Sequence, residues 1–171
     1  MGIKTSEPEF AEFAQATEKL DRKQYKAAYN LFIRAAEHGN ALALNSVGYM
    51  LDRGLGVRRQ PALAMNWYRK AARAGDAIGC TNLGLCYQNL GKSNLALKWI
   101  RRAARIGDAD AALDLGKELL ERKDAVSRRR AKVYLKIAAS SPYLDAEGQR
   151  AVKQLLSMVS RMERSGVRSN V

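Results

Sequence analysis

A single histidine, two cysteines and three prolines in 171 residues leave few kinds of chemical centre open. A multi-histidine metal site cannot be assembled from His38 alone, and a nucleophile–histidine pair would have to rest on that one ring. His38 instead suits the end of a helix, where free carbonyls welcome a donor. Cys80 and Cys86 stand six residues apart. Steps of about 100° along one helix put them on different faces, so they do not bridge and read as small buried apolar residues in a reducing compartment. No cofactor and no metal ligand set is expected. No apolar run approaches the roughly 18 residues of a membrane helix, so no membrane span is expected. The opening Met1-Gly2-Ile3-Lys4-Thr5-Ser6 lacks the apolar core of a secretory signal, which points to the cytoplasm, and it fits the short, common myristoylation pattern. Acidic residues are also scarce, 17 against 30 basic ones, for a net charge of +13. Such an excess draws nucleic acid, anionic membrane or an acidic protein without choosing among them.

What is present in quantity is helix-forming sequence, rich in alanine, leucine, arginine and lysine, and it repeats. Ala35-Ala36-Glu37-His38-Gly39-Asn40 returns as Ala71-Ala72-Arg73-Ala74-Gly75-Asp76 and as Ala103-Ala104-Arg105-Ile106-Gly107-Asp108, with an altered copy at Ala138-Ala139-Ser140-Ser141-Pro142. Gly39, Gly75, Gly107 and Pro142 are separated by 36, 32 and 35 residues. A period of that length marks stacked helical hairpins, none of which can bury its own apolar face alone. The fold class is therefore all-α, an α-solenoid of about four helix-turn-helix repeats with a capping helix at its C-terminal end. Residues 1–6 are expected to be a flexible N-terminus, 7–164 a single repeat domain and 165–171 a flexible tail.

Taken in order, Ser6-Glu7-Pro8-Glu9 has capping-box spacing and opens a helix with Phe10, Phe13, Ala16, Thr17 and Leu20 on one side. A second helix runs from Tyr25 to His38. Gly39 then supplies a left-handed helix end and Asn40 a cap for a helix from Ala41 to Arg53. Gly54-Leu55-Gly56-Val57 forms a link, and Pro61 starts the return helix. There Leu63, Ala64, Trp67, Tyr68, Ala71 and Ala72 make an apolar stripe opposite Asn66, Arg69, Lys70 and Arg73. The third hairpin pairs Ala77–Asn89 with a helix ending near Ile106, the fourth Ala109–Arg122 with Asp124–Ser140. After Asp145, Val152, Leu155, Leu156 and Val159 line the face of the capping helix.

The run Ala41-x-Ala43-x-x-x-Val47-Gly48-Tyr49, Gly54-x-Gly56-Val57 and Ala64-x-x-Trp67-Tyr68-x-x-Ala71-Ala72-x-x-Gly75-Asp76 resembles the Sel-one-like repeat, a relative of the tetratricopeptide repeats with a longer link between its helices. The third repeat, with Leu83-Gly84-x-x-Tyr87 and a shorter link, looks closer to an ordinary tetratricopeptide unit. The fourth keeps Leu115-Gly116 but has Leu119 in place of the tyrosine. The resemblance covers roughly Phe10 to Pro142. It implies close helix contact at Gly48, Gly84 and Gly116, and tryptophans, Trp67 and Trp99, filling the space between hairpins, where truncation to alanine would cost about 3–5 kcal/mol. It also implies a scaffold without catalytic activity that holds another protein, either as a regulatory adaptor or as a bacterial immunity protein neutralising a cognate toxin.

In such a fold the first helix of each hairpin faces the concave groove. Offsets from the repeat glycines place Asn45, Tyr49 and Arg53 there, with Thr81, Leu85, Gln88 and Asn89 from the third repeat and Leu113, Lys117 and Glu121 from the fourth. Tyrosine and arginine are the expected anchors for a protein partner, one with an acidic surface, and the chain itself is expected to be a monomer. The second helices carry a basic ridge of Arg69, Lys70, Arg73, Lys98, Arg101, Arg102, Arg105, Arg129, Lys132 and Lys136. That ridge offers an alternative, nucleic acid, against which stand its lack of interleaved aromatics for base stacking and the absence of a helix-turn-helix or zinc motif. An enzyme is disfavoured: Asp110, Asp114, Glu118 and Glu121 lack a histidine or nucleophile and read as a solvated acidic stripe.

Overall fold

The computed structural model describes the backbone of residues 8–168 and the side chains of residues 10–164. The serine and first glutamate of the capping box, the myristoylation pattern and residues 169–171 lie outside them. Nine α-helices follow one another among the described residues, with no strand: α1 (Pro8–Asp21), α2 (Tyr25–Glu37), α3 (Ala41–Arg53), α4 (Pro61–Arg73), α5 (Ala77–Asn89), α6 (Ser93–Arg105), α7 (Ala109–Glu121), α8 (Ala125–Ser140) and α9 (Ala146–Arg168). The chain divides into two compact units, residues 1–96 and 97–171, with the boundary inside α6. α9 continues to Arg168, so the helix takes up the first residues of the expected tail.

Helix starts are fixed by short polar side chains, at three repeat boundaries and at the start of α8. Asn40 accepts a hydrogen bond from the Ala43 amide at 3.0 Å, Asp76 from Gly79 at 2.9 Å, Asp108 from Ala111 at 2.9 Å, and Asp124 from Ser127 at 2.8 Å. Each satisfies one of the amides that an α-helix leaves without an internal partner, worth about 1 kcal/mol. At Asp124 the bonds from Ser127 hold the carboxyl below its ordinary range. Gly39, Gly75 and Gly107 follow the preceding helices with φ of 96°, 91° and 110°.

In the first unit α1 packs on α2 and α3 on α4, while α2 meets α3 and α4 meets α5. The core is Ala28, Phe32, Val47, Met50, Leu51, Ala64, Tyr68, Ala71, Cys80 and Leu83. Glu12 is buried between two partners on α2 and its end: Arg34 reaches one carboxylate oxygen, and Nδ1 of His38 lies 2.8 Å from the other. His38 thus ties α1 to the end of α2 through a side chain, in addition to its backbone N–H bonding the Arg34 carbonyl. In the second unit α7 packs on α8, and α9 covers α8 and touches α7, burying Val152 and Val159.

The hairpins close on small residues. A Cβ placed on Gly48 would fall 2.7 Å from the Tyr68 ring, and one on Gly116 would fall 2.7 Å from the Leu135 side chain. Large partners fill the space that each glycine leaves. The indoles do not play that part: Trp67 and Trp99 are only half-buried, whereas Tyr68 is 2% exposed. The stripe on α4 is rotated so that the tyrosine, not the tryptophan beside it, enters the core. Leu63, expected in the stripe, is 39% exposed.

Gly48→Ala forces the buried Tyr68 ring to move and is expected to cost about 1–3 kcal/mol. Urea unfolding followed by circular dichroism should show an earlier midpoint for this variant, whereas Trp67→Ala should cost less than the 3–5 kcal/mol order of a fully buried indole.

Candidate functional site

A hollow of the first unit lies where the C-terminal halves of α3 and α5 meet the start of α4. It encloses ≈ 610 Å³. Four of the residues expected to bind a partner line it, namely Tyr49 and Arg53 from α3 and Leu85 and Asn89 from α5. All four are exposed. Asn45 lies beside them, its Oδ1 accepting a hydrogen bond from Asn82 Nδ2 at 2.9 Å, which joins α3 to α5 under the cleft. Thr81 is half-buried and Gln88 exposed, and neither lines the cleft.

The remaining expected residues belong to α7 in the second unit. Lys117 is exposed and pairs with Asp114 at 3.6 Å. Leu113 is 6% exposed, which removes it from any contact surface. α7 buries Ala109, Ala112, Leu113 and Gly116 along one stripe and Ala111, Leu115 and Leu119 along another, so the offset that points outward on α3 points into the core here. Glu121, like Asp110, Asp114 and Glu118, is exposed, and Glu118 holds Arg122 at 3.0 Å. The stripe is a solvated one. No group of three or more His, Cys, Asp or Glu side chains among the described residues could hold a metal ion.

Offsets along the first helices missed the rest of the cleft, because its floor comes from α4 and from the link before it. Met65 and Tyr68 supply apolar surface, and Arg59 closes one side. Arg59 Nε donates to the Asp52 carbonyl at 2.7 Å, and its Nη2 lies 3.8 Å from the Asp52 carboxylate. The spacing Pro61, Met65, Tyr68 puts all three on one helical face, and that is the signal by which they could have been found. The link itself leans on the preceding hairpin. Gly56, at φ 70°, stands so close to the Tyr25–Lys26 backbone that a Cβ would lie 2.4 Å from the Tyr25 carbonyl carbon. That approach explains a glycine there and fixes where Arg59 can sit.

Charge at the rim is uneven. Asp52 and Arg59 offset one another, but Arg53 has no carboxylate partner among the described residues, and its guanidinium stands 5.8 Å from the Tyr49 ring centroid. Burial is the main reason that the Tyr68 phenol stays protonated beyond the usual range, with the Asp52 charge adding to it. The cleft therefore offers an apolar floor, a phenol, two amides at Asn82 and Asn89, and one uncompensated cation.

Cys86 lies in the cleft wall and is half-buried, unlike Cys80, which is 0% exposed. Burial raises the Cys86 thiol above its ordinary range, and the Asp52 carboxylate raises it further. Both effects disfavour the thiolate, the form that reacts. Labelling of native protein with iodoacetamide should therefore modify Cys86 and spare Cys80, with a rate that climbs only above the usual thiol pH range. Removing the negative charge in Asp52→Asn should move that rise to lower pH.

The basic residues of the second helices fall into two groups. In the first unit Arg69 donates to Asn66 at 2.7 Å, Lys70 sits 4.3 Å from the Trp67 ring centroid, and Arg73 is exposed. In the second unit Lys98, Arg102, Arg105, Arg129 and Lys136 are exposed and Arg101 is half-buried. Arg102 lies 5.5 Å from the Trp99 ring centroid. Lys132 does not belong with the free cations, because its ammonium bonds Glu163 of α9 at 2.6 Å and holds that carboxyl below its usual range. Two aromatic rings do lie among these cations, contrary to the expectation that the ridge lacks them. Helical periodicity places both indoles in the core stripe, which is why the ridge reads from sequence as free of aromatics.

Comparison with known proteins agrees with the repeat period. The Sel1 repeat model matches residues 19–40, 41–76, 77–108 and 109–143, including the third repeat that looked nearer to the tetratricopeptide type. A solved Sel1 repeat protein from Oxalobacter formigenes is 30% identical, with a TM-score of 0.64 over 75% of this chain and 53% of its own. The protective antigen c5321 of uropathogenic Escherichia coli, which displays an SLR fold, is 28% identical, with a TM-score of 0.68 over 86% of this chain and 32% of its own. This chain thus spans about half and about a third of those two proteins. The immunity protein Pa5087 of Pseudomonas aeruginosa aligns at 16% identity and a TM-score of 0.41, over 88% of this chain and 81% of its own, too loosely to support an argument. Sel1 repeats are protein-interaction modules on a scaffold fold, and among the described residues no helix is long and apolar enough to cross a membrane. With four matched repeats spanning most of its length, the chain belongs to the Sel1 repeat family.

Proposed function

We propose that this protein is a non-enzymatic binding module whose partner, another protein, docks in the cleft between α3, α4 and α5. The observation that supports the reading is the convergence of Tyr49, Arg53, Leu85 and Asn89, residues from two different repeats, on one hollow. An apolar partner side chain settles on Met65, Leu85 and the Tyr68 edge. A neighbouring carboxylate pairs with Arg53, and backbone groups of the partner reach Asn82 and Asn89. Tyrosine and arginine at the mouth of a partly desolvated pocket are the residue types that carry most binding energy at protein interfaces. Whether the outcome is inhibition, as by an immunity protein covering a toxin, or assembly, as by a regulatory adaptor, depends on what the partner does once held. The grip is the same.

The reading is tested with a partner recovered by affinity purification from the source cells. The double substitution Tyr49→Ala with Arg53→Ala should weaken that complex by more than about 2 kcal/mol, roughly 30-fold in Kd, with helicity unchanged. Unchanged affinity by titration calorimetry would remove the cleft from the interface.

A second reading, nucleic-acid binding by the basic faces, draws support from the indoles of Trp67 and Trp99 beside Lys70 and Arg102. It makes a separate prediction. Affinity for a single-stranded oligonucleotide would fall linearly on a log–log plot against salt, with a slope set by the number of phosphates neutralised. Absence of retention near physiological salt eliminates it.

A further inference from the structure

The second unit carries a cationic hollow that shares no lining residue with the cleft. Arg101 and Arg105 enter it from α6 and Arg130 from α8, around a space of ≈ 400 Å³. Its apolar walls are Val133, Tyr134 and Ile137, with Leu119 of α7 beneath. Neither α6 nor α8 contains an aspartate or glutamate. The carboxylates along α7 are exposed, and Asp114 and Glu118 are engaged by Lys117 and Arg122. None of the three guanidiniums has a carboxylate partner among the described residues. Arg105 spends only Nε, on the Arg101 carbonyl at 3.3 Å, which leaves its terminal nitrogens free.

Three cations gathered without a counter-charge repel one another, and an anionic guest relieves that repulsion. The guanidinium fork is shaped for carboxylate or phosphate oxygens in pairs. What separates those two classes is the floor. Val133 is 58% exposed, with Tyr134 and Ile137 half-buried beside it. A phosphate backbone gains nothing from covering aliphatic surface, and stacking a base needs a flat aromatic face, whereas most of this floor is branched aliphatic. An apolar side chain between carboxylates uses both parts of the hollow.

We propose that this hollow is a second protein-binding site, which takes an acidic segment of a partner: one aliphatic or aromatic side chain seats on Val133, Tyr134 and Ile137 while flanking carboxylates pair with Arg101, Arg105 and Arg130. The site does not depend on the cleft of the first unit, and either can fail without the other.

The test uses the full chain and a fluorescein-labelled synthetic peptide of aspartates and glutamates around one central leucine, read by anisotropy at physiological salt. Arg101→Ala with Arg130→Ala should weaken binding at least tenfold, and replacing the central leucine by serine should weaken it to a similar extent. Arg161→Ala with Arg164→Ala, an equal loss of charge at exposed positions of α9, should change it less than twofold. Equal affinity for the leucine and serine peptides would overturn the proposal, because only net charge would then be read. So would an equal loss from the double change at Arg161 and Arg164, or a single-stranded RNA that binds more tightly than the peptide and displaces it. Circular dichroism of each variant verifies that the helices are intact, and Arg130→Lys, which keeps the charge and removes the fork, should retain part of the affinity.

Discussion

The contact between Gly48 and the Tyr68 ring is the constraint on which the first unit turns. A hydrogen in place of a side chain on α3 lets α4 come close enough for a tyrosine to lie against the neighbouring backbone, 2% exposed. Gly116 and Leu135 repeat the arrangement between α7 and α8 with an aliphatic partner. The glycine costs about 1 kcal/mol of helix propensity, which burial of the large side chain more than offsets at about 1.5–3 kcal/mol. The same contact prepares a surface. Tyr68 is both the plug that closes the α3–α4 hairpin and part of the floor of the cleft, so packing and recognition share a residue.

Much of this could be read from the residues themselves. Period and punctuation carry the architecture, because Asn40, Asp76 and Asp108 each sit at the first amides of a helix and glycines mark the preceding ends. Those are local rules, and local rules can be read one residue at a time. Facing is harder. Trp67 and Tyr68 are adjacent, both aromatic and both compatible with the apolar stripe, and a rotation of one position decides which enters the core. Sequence periodicity does not resolve one position on a helix. The same rotation decides the basic faces, since indoles placed inside leave those faces with no aromatic rings.

The cleft shows the same division. Tyr49, Arg53, Leu85 and Asn89 follow from their offsets to the repeat glycine, because α3 and α5 are equivalent helices in successive repeats. Arg59, Met65 and Tyr68 do not follow, since they arrive from a different helix and from a link held against α2 by Gly56. Leu113 fails because α7 departs from the repeat average and buries a second stripe. Charge is sorted along the same lines. The three helices α4, α6 and α8 carry three, four and five cations with no carboxylate, while α7 between the last two carries four carboxylates. Such sorting does nothing for the hairpin contacts, which are made by alanine, glycine, leucine and tyrosine. It leaves the second helices with an electrostatic surface available for binding.

The claim that matters most is that a partner protein is held in the α3–α4–α5 cleft. Hydrogen–deuterium exchange of the free chain and of the purified complex tests it without any substitution. Slowed exchange concentrated in the C-terminal halves of α3 and α5 and the link before Pro61 is the predicted result. Protection absent from those segments, and found instead along the charged faces of α4, α6 and α8, would contradict it.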